Sequence, residues 1–403
     1  MQKVWLFIRR LFAPLDKPLL VVTSLLSFFS LLTLAGAIEY TGFTRLYMQL
    51  AMTIAGFVLM VFLAQLDFHV LVEKGFWWLI LFSAGILVFT LVFGTSQNGE
   101  TNKSWLVIPF VNFTIQPSEF VKTTFLLTLA GHMELVKDRI NHPLYFGSLL
   151  IHGGLIIGLI VLSGDLGVAL VFLAVFALML VCGGLSPFYL LGGAAVAGLS
   201  APFIWSRLNK YQQRRILTGF NPELDPYETG WQALLSRRSI ANGGFFGRGL
   251  TGGTYHMTLA AAHTDFFFAT FCEKFGFFGG TLLIGAEVFL LYRLVVLSRE
   301  TRQDYGSFIC IGAAAIVFAQ TIENLGMCLA ILPVVGITLP FMSYGGSSVL
   351  GMYFLMGIVQ SVAAHKKART VVPSGGSFGV LASPPGLSDL IRRFRRKPPV
   401  QKN

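Results

Sequence analysis

Residues 18–38 have the sequence PLLVVTSLLSFFSLLTLAGAI, a run without a single charged side chain. About 20 mostly apolar residues are enough for a helix to cross the hydrocarbon core of a membrane. The whole chain shares this character, because 54% of its 403 residues are hydrophobic, only 12% are charged and the mean hydropathy is +0.70. Soluble proteins carry roughly 25% charged residues, and disordered chains are poor in apolar ones. Both classes are excluded, and the sequence predicts an all-α polytopic membrane protein.

Similar apolar runs recur along the chain and predict about ten transmembrane helices. An even number of spans places both termini on the same side of the membrane. The four cysteines lie inside apolar stretches without metal-ligand spacing, so no disulfide framework is expected. The predicted spans cover residues 18–38, 46–65, 76–94, 118–132, 144–162, 165–185, 187–205, 264–294, 306–331 and 344–364.

The distribution of lysine and arginine predicts which side the termini occupy. The net charge is +11, and 19 of the 30 basic residues fall in segments that the span count places on one side. Because positive charge is concentrated in cytoplasmic loops, both termini are predicted to be cytoplasmic. The chain then divides into an N-terminal segment 1–17, a transmembrane domain 18–364 and a flexible basic tail 365–403. The tail would contact anionic lipid headgroups or act only as a topology anchor.

The large loop between spans 7 and 8, residues 206–263, departs from this charge rule. The span count places it outside the cytoplasm, yet it carries seven basic residues against three acidic ones. A basic loop at the outer surface suits an anionic ligand such as a phosphate or pyrophosphate. A solvated loop that contacts lipid headgroups explains the charge equally well. The basic residues are Arg207, Lys210, Arg214, Arg215, Arg237, Arg238 and Arg248.

The tetrapeptide His263-Thr264-Asp265-Phe266 ends this loop and begins the eighth span. Partial burial favours the neutral acid and nearby arginines favour the carboxylate, so the basicity of Asp265 can be tuned for proton abstraction. Helix capping by Asp265 is the competing explanation. Glu119 and Lys122 lie three residues apart on one predicted helix, and this spacing favours a structural ion pair.

Two stretches rich in glycine or proline interrupt the apolar sequence. Residues 243–250, GGFFGRGL, would expose main-chain N–H groups to an anion or form a glycine-rich turn under aromatic cover. Residues 332–348 contain two prolines and three glycines. Irregular main chain at membrane depth is tolerated only where it is buried in protein or lines a cavity, so this segment is predicted to form a cavity wall. The sequence contains no metal-ligand cluster or nucleotide motif, and no nucleic-acid partner is expected.

The ordered set of motifs resembles the SEDS proteins, the RodA, FtsW and SpoVE group of bacterial cell-wall synthases. The resemblance covers roughly residues 18–364, including the large outer loop. The residues that carry it are Trp105, Gln116-Pro117-Ser118-Glu119 with Lys122, Asp165-Leu166-Gly167, Asn221-Pro222, Asp225-Pro226, Gly243-Gly244, His263-Thr264-Asp265-Phe266 and Pro340-Phe341-Met342-Ser343-Tyr344-Gly345-Gly346-Ser347-Ser348.

This resemblance implies a peptidoglycan glycosyltransferase of the bacterial cytoplasmic membrane. Such an enzyme polymerises lipid II at the outer face and releases polyprenyl pyrophosphate, in cell elongation or division. Asp265 matches the family's catalytic aspartate, and the implied partners are a class B penicillin-binding protein and membrane lipids. A divalent cation, Mg²⁺ or Mn²⁺, is the only cofactor suggested, without identified ligands. The substrate-binding candidates are His263, Arg214, Arg215, Arg248, Lys122, Glu119, Trp105 and Ser343.

Some positions depart from the family's pattern. Ala260 and Ala261 stand where the family often has Pro-Glu, and Thr338 replaces the first proline of a usual Pro-Leu-Pro-Phe. Losing the glutamate weakens a two-carboxylate or metal-binding mechanism without affecting Asp265. Judged from the residues alone, a transporter that flips a lipid-linked precursor would use ten spans, broken helices and a cationic patch equally well. A scaffold that activates a penicillin-binding protein is the third alternative.

Overall fold

The structure is a computed structural model that describes residues 5, 9–96, 103–108, 113–208 and 210–365, without the side chains of residues 108, 113, 204, 211, 212 and 215. The predicted basic tail therefore lies almost wholly outside the described residues. The long helices in the described ranges are α1 (Lys17–Gly36), α2 (Phe43–Leu63), α3 (Phe68–Phe93), α4 (Pro117–Val136), α5 (Pro143–Leu162), α6 (Leu166–Cys182), α7 (Pro187–Arg207), α8 (Lys210–Phe220), α9 (Trp231–Asn242), α10 (Phe267–Glu300), α11 (Asp304–Cys328) and α12 (Gly346–Ala364).

Short elements connect these helices. Leu106–Ile108 (β1) and Phe113–Ile115 (β2) form an antiparallel hairpin between α3 and α4. The hairpin is a small correction to the all-α prediction, because strands of three residues leave no period-2 pattern long enough to detect. Single helical turns lie at Ile38–Thr41, Lys137–Arg139, Pro222–Leu224 and Tyr255–Thr258.

Each of the ten predicted spans overlaps one long helix, and the all-α polytopic class is confirmed. Eight helices in the described part of the chain are long and apolar enough to cross a membrane. Helix α6 is apolar but has only 17 residues. Helix α4 carries Glu119, Lys122 and Glu134, so its sequence is less apolar than those of the eight. The chain is a multi-pass membrane protein, and the number of ten spans stays a prediction.

Helix α4 lies at the centre of the bundle, which explains how it tolerates polar residues. Seventeen of its 20 residues are buried, and it packs against α3, α5, α11 and α12. Polar side chains in membrane proteins face the bundle interior because hydrocarbon cannot satisfy them. Helix α7 shows the opposite pattern, since none of the residues in its most apolar stretch is buried.

Contacts between helix ends define two ends of the bundle. Asp16, before α1, pairs with Arg293 near the end of α10, and its main chain bonds to Gln360 near the end of α12. At the other end of α1, the carbonyl of Gly36 accepts a hydrogen bond from Lys274, near the start of α10. The Asp16 end is the one that the basic residues predict to be cytoplasmic. Asp265 directly precedes α10 and so lies at the opposite end.

The predicted outer loop 206–263 is largely helical in the described residues. It contains α8, the turn at Pro222–Leu224, α9 and the turn at Tyr255–Thr258. Helix α9 packs against α10, and the Ser236 hydroxyl donates to the carbonyl of Cys328 at 2.7 Å. The loop is therefore a folded layer attached to the bundle.

Candidate active site at the start of helix α10

Asp265 lies in a tight turn immediately before α10. The carbonyl of Ala261 closes the turn by accepting the N–H groups of Thr264 (3.0 Å) and Phe266 (3.1 Å), and Ala261 itself has a positive φ of 55°. The N-cap of α10 is Phe266. Asp265 therefore lies one residue before the N-cap position. The side chain is half-buried, and a Cβ added to Gly336 would lie 3.5 Å from its Oδ2.

Asn324 of α11 holds the Asp265 turn from the bundle side. Its Nδ2 donates to the carbonyls of Asp265 and Ile337, each at 2.7 Å. Asn324 is fully buried, and a buried amide that makes two such bonds fixes both main-chain segments. The turn and the predicted wall segment are thereby joined through one side chain. The local sequence did not indicate this role, because Asp265 lies 59 residues before Asn324 and Ile337 lies 13 residues after it.

Ser343 holds the same turn from the wall segment. Its hydroxyl donates to the carbonyl of Thr264 at 2.6 Å and accepts the N–H of Leu339 at 2.9 Å. The next residue, Tyr344, donates its N–H to the carbonyl of His263 at 2.8 Å. Ser343 was predicted to bind substrate, but its side chain is buried and its hydroxyl already joins two protein segments. Ser343 therefore positions the turn, and its substrate-binding role stays a prediction.

His263 is a neutral group at this site. Its ring lies beside that of Tyr344, with centroids 5.5 Å apart. Burial, followed by the positive charge of Arg45, lowers the pKa of His263 to about 4. At pH 7 the imidazole is therefore uncharged, so it offers hydrogen bonds to a ligand but no positive charge.

Arg45 is the functional candidate that sequence reasoning missed. It lies near the start of α2, and its charge acts on both His263 and Tyr344. One of its N–H groups donates to the carbonyl of Thr41 at 2.9 Å. The signal was present, because a single basic residue at the outer end of the second predicted span also departs from the charge rule.

Glu119 and Lys122 form the predicted structural ion pair. The Nζ of Lys122 lies 3.1 Å from each carboxylate oxygen of Glu119, and both side chains are buried. Glu323 of α11 lies close enough for its carboxyl to interact electrostatically with Lys122 and Asp165. Gln116 donates to Asp165 at 3.0 Å, and Asp165 also caps α6. The substrate-binding roles proposed for Glu119 and Lys122 stay predictions.

The wall segment connects this ion pair to the Asp265 turn. Ser347, at the start of α12, accepts the N–H of Gln116 at 3.3 Å and donates to the carbonyl of Thr114 at 3.4 Å. Its neighbour Ser348 shares a 2.7 Å hydrogen bond with Thr338. Three sequence motifs spread over more than 200 residues of the chain therefore meet at one end of the bundle.

Two of the three candidate loop arginines already have protein partners. The guanidinium of Arg214 lies 3.7 Å from the carboxylates of Asp225 and Glu228, and its side chain is 60% exposed. The exposed Arg248 donates to two oxygens of Asn242, at 2.7 and 3.0 Å. The side chain of Arg215 lies outside the described residues. Binding of an anion by these arginines stays a prediction, and it would have to compete with the present contacts.

Trp105 lies next to the hairpin rather than within the helical core. Its main chain pairs with Thr95 through two hydrogen bonds, of 2.7 and 3.2 Å, and its side chain is half-buried. It therefore links the end of α3 to β1. The substrate-binding role of Trp105 stays a prediction.

The glycine-rich stretch 243–250 docks into a break in α10. At the break Gly276 has a φ of +68°, a conformation that side chains rarely allow, and a Cβ there would lie 2.3 Å from a main-chain nitrogen of the stretch. The main-chain N–H groups of Arg248 and Gly249, in the stretch 243–250, donate to carbonyls of α10. The prediction that main-chain N–H groups of this stretch bind an anion is therefore wrong for these two residues. The glycine-rich turn is confirmed. Four main-chain hydrogen bonds join the stretch to α10, and in each the first residue donates its N–H to the carbonyl of the second: Phe277 to Gly244 (2.8 Å), Phe278 to Phe245 (3.0 Å), Arg248 to Glu273 (2.9 Å) and Gly249 to Lys274 (3.1 Å).

Two buried charges at the start of α10 fasten the same loop. Lys274 donates to the carbonyls of Leu250 (2.6 Å) and Gly36 (3.0 Å), joining the loop to α1. Glu273 accepts six hydrogen bonds, three on each oxygen. Its donors are the side chains of Ser239 (3.1 Å), Asn242 (2.8 Å) and His256 (2.8 Å) and the main-chain N–H groups of Thr254 (3.0 Å), Tyr255 (3.0 Å) and His256 (2.9 Å).

The residues around Asp265 do not assemble a metal centre from protein ligands alone. In the described ranges, no group of three or more His, Cys, Asp or Glu side chains is placed to hold a metal ion. The family's usual glutamate is replaced by Ala261, so Asp265 would be a single carboxylate ligand. The divalent cation stays a prediction, and no chemical step is assigned to it.

Comparison with known proteins identifies relatives of this chain. A sequence profile of the cell cycle protein family named for FtsW, RodA and SpoVE matches residues 11–368. A probable peptidoglycan glycosyltransferase FtsW of Trichlorobacter lovleyi is 32% identical over 287 residues, which is 70% of this chain and 74% of that protein. Stage V sporulation protein E of Bacillus subtilis is 31% identical over 70% of this chain and 77% of its own length.

Two solved structures share the fold. One is a chain from a peptidoglycan synthase complex described as coordinating polymerization and crosslinking; it has a TM-score of 0.75 and 28% identity, over 88% of this chain and 99% of its own. The other is a mutant of the rod shape determining protein RodA from Thermus thermophilus, with a TM-score of 0.66 and 25% identity over the same shares of the two chains. The family implied by the motifs is thus confirmed by sequence and by structure, and the chain belongs to the FtsW, RodA and SpoVE family of cell cycle proteins.

Proposed function

We propose that this protein is a peptidoglycan glycosyltransferase of the bacterial cytoplasmic membrane that polymerises lipid II with Asp265 as its general base. The reaction class is that of the FtsW relatives. The observation that carries the role of Asp265 is its setting. It is a half-buried carboxylate on a turn held by Asn324 and Ser343, at the end of the bundle opposite the predicted cytoplasmic side, and the charge of Arg45 acts at His263 in the same turn.

The reaction needs one proton acceptor and one charge stabiliser. Asp265 accepts the proton of a sugar 4-hydroxyl as that oxygen attacks the anomeric carbon of a second lipid II. A C–O glycosidic bond forms, the bond from the anomeric carbon to pyrophosphate breaks, and polyprenyl pyrophosphate leaves with the electron pair. A general base acts only within hydrogen-bond reach of the proton that it accepts. Asn324 and Ser343 would therefore serve catalysis by fixing the position of the turn that carries Asp265.

Arg45 is the best-placed cation for the leaving group. Its charge already acts at His263, two residues from Asp265, and a guanidinium matches phosphate oxygens bidentately. Arg214 and Arg248 are less suitable, because their partners are Asp225, Glu228 and Asn242. The neutral His263 would contribute a hydrogen bond to the substrate.

A class B penicillin-binding protein is the proposed partner. The support is the relative of known structure, which comes from a complex that coordinates polymerization and crosslinking. Many large apolar side chains of the bundle are exposed, among them Phe28, Phe62 and Leu199, and these would contact membrane lipids or a partner's transmembrane helix. The cytoplasmic membrane follows from the same substrate, since lipid II is membrane-bound.

The decisive experiment is a lipid II polymerisation assay on purified protein. The wild type should produce glycan ladders from labelled lipid II, and Asp265→Asn should lose them, because the amide cannot accept the proton. Asp138→Asn is the matched control, since Asp138 is an exposed aspartate at the opposite end of the bundle. Repeating the assay with chelator tests the divalent cation, and adding the penicillin-binding protein tests partner activation.

Other outcomes would select the alternative functions. Translocation of lipid II in vesicles without ladders would indicate a transporter. Full polymerisation by a folded Asp265→Asn protein would refute the role of Asp265. If the aspartate variant complemented loss of the gene, the scaffold alternative would gain.

A further inference from the structure

A polar groove lies at the end of the bundle opposite Asp265. It has a volume of about 570 Å³ and is lined by residues 137–142, which connect α4 to α5, and by residues 183 and 184, between α6 and α7. Lys137 pairs with Asp304, which begins α11 directly after α10 has ended. The groove therefore lies at the end of the bundle that is predicted to be cytoplasmic, and it does not belong to the candidate active site.

Asn141 holds the two connections that form the groove together. Its Nδ2 donates to the carbonyl of Gly184 at 3.1 Å, and its Oδ1 accepts the N–H of Ser186 at 2.6 Å. The hydroxyl of Tyr189 donates to the main-chain carbonyl of Asn141 at 2.9 Å. Both walls of the groove are therefore fixed relative to each other before a ligand binds, which lowers the entropic cost of binding.

Arg139 is the available cation of this groove. Lys137 is paired with Asp304, whereas no carboxylate within the described ranges pairs with the guanidinium of Arg139. Of its five N–H donors, the described part of the chain uses one, in a 3.1 Å hydrogen bond from Nη1 to the hydroxyl of Tyr145. The guanidinium also lies 5.9 Å from the centre of the Tyr145 ring. The remaining donors belong to a side chain that its neighbour already holds in place.

The charge of the groove suits an anion that carries one negative charge. Lys137, Asp138 and Arg139 all line the groove, and together they sum to one positive charge. A guanidinium binds a phosphate group through two parallel N–H bonds. Asp138 is an exposed carboxylate that opposes any anion in the groove, so a phosphodiester fits better than a phosphate with two negative charges.

The protein surface next to the groove is apolar. Leu144 in the first turn of α5 is largely exposed, and so are Phe188 and Leu191 near the start of α7. Both helices are long and apolar enough to span the membrane, so these side chains would face lipid where the hydrocarbon begins. A ligand at this position meets a cation and hydrocarbon together, and a phospholipid combines the matching phosphate and acyl chains.

We propose that the groove binds the phosphodiester headgroup of an anionic phospholipid, of the phosphatidylglycerol type, from the cytoplasmic leaflet. Arg139 binds the phosphate, and the acyl chains lie along the exposed starts of α5 and α7. Basic sites between membrane-spanning helices at this face bind lipid headgroups in the same way. The proposal does not rest on the proposed function, since the groove and Asp265 lie at opposite ends of the bundle.

Native mass spectrometry of the full-length protein in detergent measures this binding directly. The probe is phosphatidylglycerol, and phosphatidylcholine with the same acyl chains is the reference lipid. Arg139→Gln removes the positive charge and keeps a polar side chain. Lys74→Gln is the matched control, because Lys74 is an exposed lysine outside the groove near the start of α3. This start lies at the same end of the bundle, since His69 bonds to Glu134 near the end of α4.

The wild type should bind phosphatidylglycerol in preference to phosphatidylcholine. Arg139→Gln should weaken the binding of phosphatidylglycerol about fivefold, the effect of one basic residue at a membrane surface, and Lys74→Gln should leave it unchanged. Asp138→Asn should strengthen the binding, because an opposing charge is removed. A folding defect would weaken binding in either groove variant, so these opposite changes report the charge of the groove.

Four results would overturn the proposal. They are equal binding of the two lipids by the wild type, equal effects of Arg139→Gln and Lys74→Gln, weaker binding in Asp138→Asn, and displacement of phosphatidylglycerol by millimolar inorganic phosphate. The last result would assign the groove to a soluble phosphate compound of the cytoplasm instead of a lipid.

Discussion

Replacing Glu273 with glutamine tests how the outer loop is held on the bundle. The Glu273 side chain is fully buried, and each of its two oxygens accepts three hydrogen bonds from the loop and α9. Glutamine has almost the same shape, but one of its terminal atoms is an NH₂ donor. Whichever way the amide is oriented, three donors lose their acceptor and face another donor.

The size of this effect follows from those contacts. A buried donor left without a partner costs about 1–3 kcal/mol. Three such donors in one network relax together, so the combined cost is about 3–5 kcal/mol rather than the full sum. Since 1.4 kcal/mol corresponds to a factor of ten, local opening of the loop should become about 10² to 4 × 10³ times more frequent.

Hydrogen exchange measured by mass spectrometry is the suitable assay. The main-chain N–H groups of residues 254–256 bond directly to Glu273, so peptides that contain them should exchange faster by this factor in Glu273→Gln. Glu287→Gln is the matched control. Glu287 lies on the same helix and is 1% exposed, but neither of its carboxylate oxygens has a partner among the described residues. An unchanged rate in Glu273→Gln, or equal acceleration in both variants, would refute the argument.

Four further outcomes are expected. Asp16→Ala should lower the free energy of unfolding by about 3 kcal/mol in thermal or denaturant melts, because it leaves the guanidinium of Arg293 without its buried carboxylate partner. Arg214→Ala should change it by less than about 1 kcal/mol in the same melts, since its ion pairs are solvent-exposed. The folded pKa of His263 is about 4, below the unfolded value of 6.5, so its contribution to stability is complete above pH 6.5 and falls as pH drops towards 4. In melts at pH 7 and pH 4.5, the wild type should therefore lose more free energy of unfolding on acidification than His263→Asn. Arg45→Met should raise the pKa of His263 in an NMR titration, because a neighbouring positive charge is removed.

The helices were predictable because membrane spans are decided by long apolar runs. The fifth span was predicted at 144–162 and is found at Pro143–Leu162, where a proline begins the helix. The eighth was predicted at 264–294 and is found at Phe267–Glu300, with a break at Gly276 that was not predicted. A glycine inside an apolar run is compatible with a continuous helix, and only the docked loop shows that the helix is interrupted here.

The sequence predicted the central residues of the site but not the contacts that hold them in place. Asp265 and His263 could be recognised from a short local motif at a predicted boundary. The partners of Glu273 and Lys274 could not, because charge in a span indicates that a partner exists without saying which one. Lys274 donates to Gly36, 238 residues away, and Glu273 accepts hydrogen bonds from two separate parts of the loop. Such contacts depend on tertiary packing, which single-sequence patterns do not contain.

The basic residues show the same limit of prediction from the sequence alone. The outer loop attracted attention because it holds seven basic residues where the charge rule predicts few. Yet a count cannot tell an available cation from one already neutralised, and Arg214 lies beside two carboxylates. Arg45 stood alone in the sequence, but the fold brings its charge to His263 and so to the Asp265 turn. A leaving pyrophosphate needs a cation at the reacting bond rather than a basic surface, so substitution of Arg45 should reduce polymerisation more than substitution of Arg214.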